Sequence, residues 1–426
     1  MPSKLPADTT SANVLVDHLF RHEAGKMVSV LTRIFGLKHI EIAEDIVQDT
    51  FLKALDEWSF HKIPENPPAW LYRVAKNRTI DIIRHQKYVA EYEQELNLLL
   101  KSEWTLSHSL NNLFLDSEIE DSQLRMIFTS CHPELPKESQ IALTLKTLCG
   151  FSVGEISRAL LTTDANINKR LFRAKQKLRD ENLKFEIPAG KSLDERLDSV
   201  YKVIYLLFNE GYKSSDSDTV IRKDLCAEAI RLCKLLAEHP AGNKPKTYAL
   251  LALMCFHAAR LDARLDDNGY IILLKEQDRS KWDRSLISKG YEYLNESSEG
   301  DELSEYHLEA GIAANHASAL SFEETDWENV FKLYDMLVKI HPSPVTYLNR
   351  AIVIGQIRGA KAAIAELEKI KDLDEYYLYH TTFAEFYSLL KQNSSALKHL
   401  NKALKLTKSK AEKKLIKDRI ETIRKA

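Results

Sequence analysis

The chain has 426 residues, 44% hydrophobic and 29% charged, with a formal net charge of −2. This length allows two or three domains with sizeable cores, and the composition excludes an intrinsically disordered chain. Near-neutrality excludes general attraction to nucleic acid, so any DNA contact must come from locally segregated charge. With only 13 Gly and 12 Pro, long helices are favoured over a turn-dense β fold.

Residues 1–11 read as a tail. From Ala12 to Phe35 the apolar positions Val14, Leu15, Leu19, Met27, Val30, Leu31 and Ile34 keep helical spacing, and Gly36 closes the helix. A second helix is expected over "EIAEDIVQDTFLKALDEW", ending at Trp58, and the Pro- and Asn-rich "SFHKIPENPPA" is a loop. In the next helix, "WLYRVAKNRTIDIIRHQKY", Leu71, Val74, Ala75, Ile80 and Ile83 face a core. Arg73, Lys76, Arg78, Arg84 and Lys87 lie around the rest of the helix, with Asp81 its only acid. Trp70, beside Leu71 at the helix start, suits either a core or a base-stacking role, and core is the favoured reading. Residues 91–120 are acidic and read as a linker with some helix.

"CHPELP" introduces a helix over "KESQIALTLKTLCG", and then "EISRALLTTDANINKRLFRAKQKL" carries a concentration of cations. Lys169, Arg170, Arg173, Lys175 and Lys177 follow the break at "LTTD", opposed only by Asp164. A short helix, a turn and a longer basic helix have the form of a helix-turn-helix; a solvated helical hairpin shares the pattern. Ile156, Ile167 and Leu171 are its expected core.

Pro188-Ala189-Gly190 marks a domain boundary. Beyond it the chain is Leu-, Ala- and Tyr-rich with helical periodicity, except near 263–274, where Asn268-Gly269 between apolar runs suggests a small β-hairpin. Near the C-terminus Ala351, Ala363 and Leu367 recur as Ala384, Ala396 and Leu400, an offset of 33 residues. That is close to the period of about 34 of tetratricopeptide helix pairs and predicts an α-solenoid, a recognition surface.

The five cysteines, Cys131, Cys149, Cys226, Cys233 and Cys255, form no C-x-x-C pair and are expected as reduced thiols in the cytoplasm. The start, "MPSKLPADTTSANV", has no apolar signal core, and no apolar run reaches about 18 residues, so no membrane association is expected. Cys131 with His132, and His307, Glu309 and His316, lack the spacing of a metal site. No metal, cofactor or catalytic residue is expected.

"EDIVQDTFLKAL" followed by "WLYRVAKNRTIDIIR" resembles region 2 of extracytoplasmic-function sigma factors, in the sigma-70 family of RNA polymerase sigma factors. "LPKESQIALTLKTLCGFSVGEISRALLTTDANINKRLFRAKQKL" resembles region 4 of the same group, although its turn reads "LLTTDAN" where many relatives place Gly and Ser. "YLLFNEGY", "LLKEQDRSKWDRSLI" and "ETDWENV" resemble the extension of a subgroup with a tetratricopeptide-like C-terminal domain.

The resemblance implies an all-α promoter-recognition subunit and not an enzyme. Its parts would be region 2 at 12–90, a linker at 91–120, region 4 at 121–187 and a regulatory helical domain at 188–426. It implies core-polymerase binding, through the β′ coiled coil, by Asp45, Gln48, Asp49 and Phe51, with Leu52 and Leu55 behind them. Contact with the β flap is implied as well.

The −10 element would meet Arg73, Lys76, Asn77, Arg78 and Arg84, with residues Ser59 to Asn66 as a base-capturing loop. The −35 element would meet Thr163, Asn166, Asn168, Lys169, Arg170 and Arg173. Asp278, Arg279, Trp282 and Asp283 are either helix caps or a contact between the C-terminal domain and the sigma domains. A protein partner is expected on the solenoid. The rival from another class is a conventional helix-turn-helix regulator whose solenoid binds an inducer or a protein; it has no use for "DIVQDTF".

Overall fold

The computed structural model describes residues 7–60, 62–85, 110–160, 162–213, 221–407 and 409–425. Its contacts divide the chain into two compact units, Met1–Val203 and Ile204–Ala426. The described residues are overwhelmingly helical.

In the first unit α1 (Ala7–Phe35) is the central element, packed against α2 (Ile40–Phe60), α4 (Asp116–Ser130) and α5 (Lys137–Thr147), with α3 (Pro67–His85) beside α2. α1 begins inside the expected tail. It stops at Gly36, whose φ of 80° is the left-handed conformation that glycine adopts without strain, and whose N–H donates to the Thr32 carbonyl at 2.8 Å. Its buried stripe runs through Ala12, Val16, Leu19, Met27, Val30, Leu31 and Ile34, while Val14, expected in the core, faces solvent. Gly25 lets α1 approach the Leu148 backbone so closely that a Cβ would lie 2.2 Å from the Leu148 carbonyl oxygen.

Two expectations at helix ends are corrected. Ser59 and Phe60, placed in the loop by the sequence, extend α2, with the Ser59 hydroxyl donating to the Leu55 carbonyl at 2.6 Å. α4 starts at Asp116, inside the expected linker. Asp116 and Glu118 occupy its first turn, where acids oppose the positive end of the helix dipole, and Ile119, Leu124, Ile127 and Phe128 form its buried face. Most of the remaining linker lies outside the described residues. α6 (Val153–Ala159) and α7 (Asp164–Asp180) complete the helix-turn-helix, and α8 (Lys191–Tyr212) crosses the division between units.

The second unit continues from α8 through α9 (Lys223–Glu238), α10 (Pro245–Ala258), α11 (Arg284–Glu296), α12 (Glu305–Ser318) and α13 (Trp327–Ile340). It ends with α14 (Pro344–Arg358), α15 (Ala360–Leu367), α16 (Tyr377–Leu389), α17 (Asn393–Leu406) and α18 (Lys410–Lys425). From α12 onward each helix packs on the next in sequence, the one-dimensional arrangement of a solenoid. All six repeat positions named above are buried to 2% exposure or less: the four alanines let paired helices approach, and Leu367 and Leu400 fill the core between them. The hairpin near 263–274 is reduced to one antiparallel bridge, Leu265 with Ile271. The Asp266 carboxylate accepts from the backbone N–H groups of Asn268 and Tyr270 across its turn.

Candidate nucleic-acid and polymerase interfaces

α2 buries Ile40, Ala43, Ile46, Val47, Thr50, Phe51, Ala54 and Trp58. That phase leaves Asp45, Gln48, Asp49, Leu52 and Lys53 on one exposed stripe. Asp45, Gln48 and Asp49 therefore face outward as expected, whereas Phe51 does not: it is 3% exposed, with its ring 5.0 Å from that of Phe20 on α1. The apolar member of the outward edge is Leu52, at 55% exposure. Phe51 and Leu52 thus take the reverse of the orientations expected of them, because adjacent residues on a helix lie about 100° apart. Asp45, Gln48 and Asp49 border a cavity of about 320 Å³ together with Arg78 of α3, and Arg78 pairs with Asp49 at 3.6 Å.

On α3, Leu71, Ala75 and Thr79 are buried, leaving Arg73, Asn77, Arg78 and Arg84 exposed and Lys76 half-buried, bonded to Asn111. Arg73, Asn77 and Arg84 lie at helical spacing on one side; Arg84 also approaches Asp81 at 4.0 Å. Trp70 packs its ring 5.2 Å from the buried Trp58 and so takes its place at the core edge. Of the expected base-capturing segment, residues 62–66 precede α3 as an irregular stretch. Phe60, 81% exposed at the end of α2, stands beside it. The sequence pattern conceals this aromatic because it falls just past the last core position of the helix.

The helix-turn-helix is fastened at both helix starts. Ser152 and Glu155 form a capping box on α6. Thr163 caps α7, accepting from the Asn166 N–H at 3.3 Å; the Asn166 amide donates to Thr162 at 2.7 Å, and Ser157 donates to Asp164. Short polar side chains thus fasten the turn in this chain. Glu155 also pairs with Arg21 of α1, whose guanidinium lies 4.6 Å from the centre of the Phe151 ring. Burial disfavours the Glu155 carboxylate, but the Ser152 backbone and hydroxyl and the Arg21 charge outweigh it and hold the carboxyl below its usual range.

α7 buries Ile167, Leu171, Ala174 and Leu178. Its exposed stripe carries Ala165, Asn168, Lys169, Phe172, Arg173 and Gln176. Lys169 and Arg173 meet no carboxylate among the described residues, while the cations at the flanks do. Arg170 pairs with Glu138 at 2.8 Å, Lys177 with Glu134 at 3.1 Å, Lys175 with Glu44 at 2.5 Å and Arg179 with Glu41 at 2.7 Å. The last two tie α7 to α2. Of the expected −35 residues, Asn168, Lys169 and Arg173 are thus free on the outer face, Arg170 is paired, and Thr163 and Asn166 are engaged in the cap. Phe172, 61% exposed between Lys169 and Arg173, is the residue that sequence reasoning missed. Its signal was an aromatic at a position out of phase with the apolar stripe.

In the second unit, Asp278 accepts from the Ser280 N–H and Asp283 caps α11. Trp282 is buried, at 3% exposure. His307, Glu309 and His316 make separate contacts: His307 with Ser304 and Ser297, Glu309 with Tyr205 at 2.7 Å, and His316 with the Trp327 ring at 5.4 Å. No group of three or more His, Cys, Asp or Glu among the described residues is placed to hold a metal ion. The cysteines are buried and free, with burial pushing the Cys131 thiol up to about 12. No helix among the described residues is long and apolar enough to cross a membrane.

The model of sigma-70 region 2 matches residues 19–88, and that of sigma-70 region 4 matches residues 125–178. These regions in this order define a transcription-initiation subunit of the sigma-70 class. A family of unknown function, DUF6596, matches residues 196–298. An uncharacterized protein of Rhizobium meliloti is 36% identical over 357 residues, covering 83% of this chain and 82% of its own length. The ECF RNA polymerase sigma factor SigM of Bacillus subtilis is 27% identical over 165 residues, 38% of this chain and 93% of its own. SigE, an ECF RNA polymerase sigma factor of Mycolicibacterium smegmatis, is 25% identical over 164 residues, 38% of this chain and 60% of its own. No solved structure matches the chain.

The chain belongs to the extracytoplasmic-function group of the sigma-70 family, carrying a DUF6596 extension. Its function is to start transcription, with core RNA polymerase and promoter DNA as partners. Sigma factors are in general DNA-binding initiation factors without enzymatic activity. The conventional-regulator alternative is not favoured, because it leaves region 2 without a role.

Proposed function

We propose that the two exposed stripes divide the work of promoter recognition in the cytoplasm. Asp45, Gln48, Asp49 and Leu52 of α2 bind the β′ coiled coil of core polymerase; Leu52 supplies the apolar centre and the polar residues the rim. Region 4 also meets the β flap. Arg73, Lys76, Asn77, Arg78 and Arg84, with the segment before α3, take the opened −10 element. The cations neutralise phosphates, and Asn77 pairs with a base edge.

α7 enters the major groove at the −35 element. Lys169 and Arg173 meet phosphates, Asn168 a base edge, and Phe172 the methyl group of a thymine, an apolar contact available only in that groove. The observation that carries this reading is the alignment of Asn168, Lys169, Phe172 and Arg173 on the outward side of α7. The second unit controls the first in cis and offers its solenoid to a protein partner.

The test is transcription and duplex binding with promoter fragments selected by the holoenzyme. Arg173→Ala should weaken −35 binding across sequences by about tenfold. Replacing the contacted thymine by uracil, which deletes only the methyl group, should weaken wild-type binding several-fold and leave Phe172→Ala unaffected. Binding insensitive to both Arg173→Ala and Phe172→Ala would remove α7 from the −35 element.

A further inference from the structure

The motif "EQDRSKWD" is only partly explained by capping. Arg279 and Arg260 both lie over the Trp282 ring, at 4.9 and 5.4 Å from its centre. Arg279 donates from one terminal nitrogen to the carbonyls of His316 and Ala319 at the end of α12, and Arg260 donates to Gln277 at 3.2 Å. Neither guanidinium pairs with a carboxylate among the described residues. The C-terminal end of α12 and the nearby Glu323 and Glu324 charges oppose these two positive ones, yet burial and the Arg260 charge still hold Arg279 below its ordinary range.

Four polar atoms around this cluster are buried without a hydrogen-bond partner: Arg279 Nη2, Trp282 Nε1, His316 Nδ1 and Thr325 Oγ1. Each can act as a donor. Trp282 and Thr325 are 3% and 4% exposed. Buried donors are nearly always satisfied, so several left over beside two half-buried arginines that pair with no carboxylate among the described residues have the chemistry of an anion-binding site.

Through His316 the cluster adjoins a pocket of about 350 Å³, where Phe322, Trp327, Tyr334 and Phe386 form an aromatic side and the ion-paired Glu385, Lys275 and Arg419 a charged one. The His316 and Trp327 rings meet at 5.4 Å, and the Phe322 and Trp327 rings at 4.9 Å. Thr325 is linked to the same wall, its carbonyl accepting from the Trp327 N–H at 2.8 Å. Burial and the Arg260 and Arg279 charges push the His316 imidazole down to about 4, so it is neutral near pH 7 and can present one N–H.

We propose that Arg279, Trp282, His316 and Thr325 hold the anionic head of a small amphipathic ligand whose aromatic or branched apolar body occupies the adjoining pocket. The head is a carboxylate or a phosphate monoester, both of which accept several donors at once. The aromatic side of the pocket sets the body, and the site makes the second unit a small-molecule receptor.

The experiment measures thermal unfolding and tryptophan fluorescence of the full chain with 3-phenylpropionate, phenyl phosphate, propionate and 3-phenylpropanol at matched ionic strength. At least one of the two aromatic anions should stabilise the protein at concentrations about tenfold below propionate or phenylpropanol, and the stronger of them identifies the head. Thr325→Val keeps the shape while deleting one orphan hydroxyl. It should leave the free protein as stable or more so and weaken the aromatic-anion response about tenfold. No response to either aromatic anion, an equal response to phenylpropanol, or an unaltered response in Thr325→Val would overturn the assignment. Binding is read without transcription, so the outcome is independent of the promoter interfaces.

Discussion

Gly25 has no room for a side chain. A Cβ there meets the Leu148 backbone at 2.2 Å, and backbone cannot rotate away, so Gly25→Ala must push α1 off the end of α5. The expected loss is about 1–3 kcal/mol or more, read as a lower urea midpoint for the first unit. Gly269→Ala is a useful contrast. Its φ of 78° strains an alanine, yet nothing lies within 4 Å of the new Cβ, so the cost should stay near 1 kcal/mol.

Glu155 gives a pH-dependent case. Its folded-state pKa is depressed, so its stabilisation is complete above the unfolded value of about 4.3 and is lost as pH falls through the lower folded value. Glu155→Gln should therefore cost about 1 kcal/mol at pH 7 and much less near pH 3, as measured by denaturant unfolding at both. At this scale the sequence reveals residue types more readily than helix phase. Asp45, Gln48 and Asp49 were legible because charge and amide groups seek water. Phe51 and Leu52 were not, since two adjacent apolar residues fit either phase until Phe20 supplies a partner.

Among the elements, the repeat was the easiest to read because each helix pair packs on its neighbours through the same small residues. Leu367 is 0% exposed in the cluster of α14, α15 and α16, and Leu367→Ala should cost the second unit about 2–5 kcal/mol in denaturant unfolding. α4 was harder to recognise. Its acids resemble a solvated linker until Arg33 of α1 is seen to pair with Glu118 at 2.6 Å and Asp121 at 3.2 Å. The helix-turn-helix was legible from its cations, yet only tertiary structure separates those held by acids from those facing outward. The sequence singled out "DRSKWD" but not its partners, because the cluster joins it to Arg260 on one side and to His316, Ala319 and Thr325, more than 30 positions on, on the other.

For the molecule as a whole, the division between units inside α8 sets how cis control has to be tested. Arg196 donates to the Phe128 carbonyl at 2.6 Å, and Leu197, Val200 and Val203 are buried, so the first half of α8 belongs with the first unit. Truncation after Pro188 strips these contacts and should lower the melting temperature of what remains; truncation after Val203 should not. If the second unit governs initiation, only the latter comparison isolates its effect, and its promoter-specific transcription should differ several-fold from that of the full chain.

The carboxylates that hold Arg170, Lys175, Lys177 and Arg179 also shape how the free chain samples the genome. Six cations lie between Lys169 and Arg179, and each one brought onto DNA displaces about one condensed counterion. Of these six, Lys169 and Arg173 alone meet no carboxylate among the described residues, so the share of the salt dependence that α7 contributes on random duplex should have a slope of about −2, not about −5. So shallow a dependence means little entropy from released ions and weak adsorption to arbitrary sequence. Unattached copies would then spend their time in solution, and the chromosome would be searched chiefly by those already riding on polymerase.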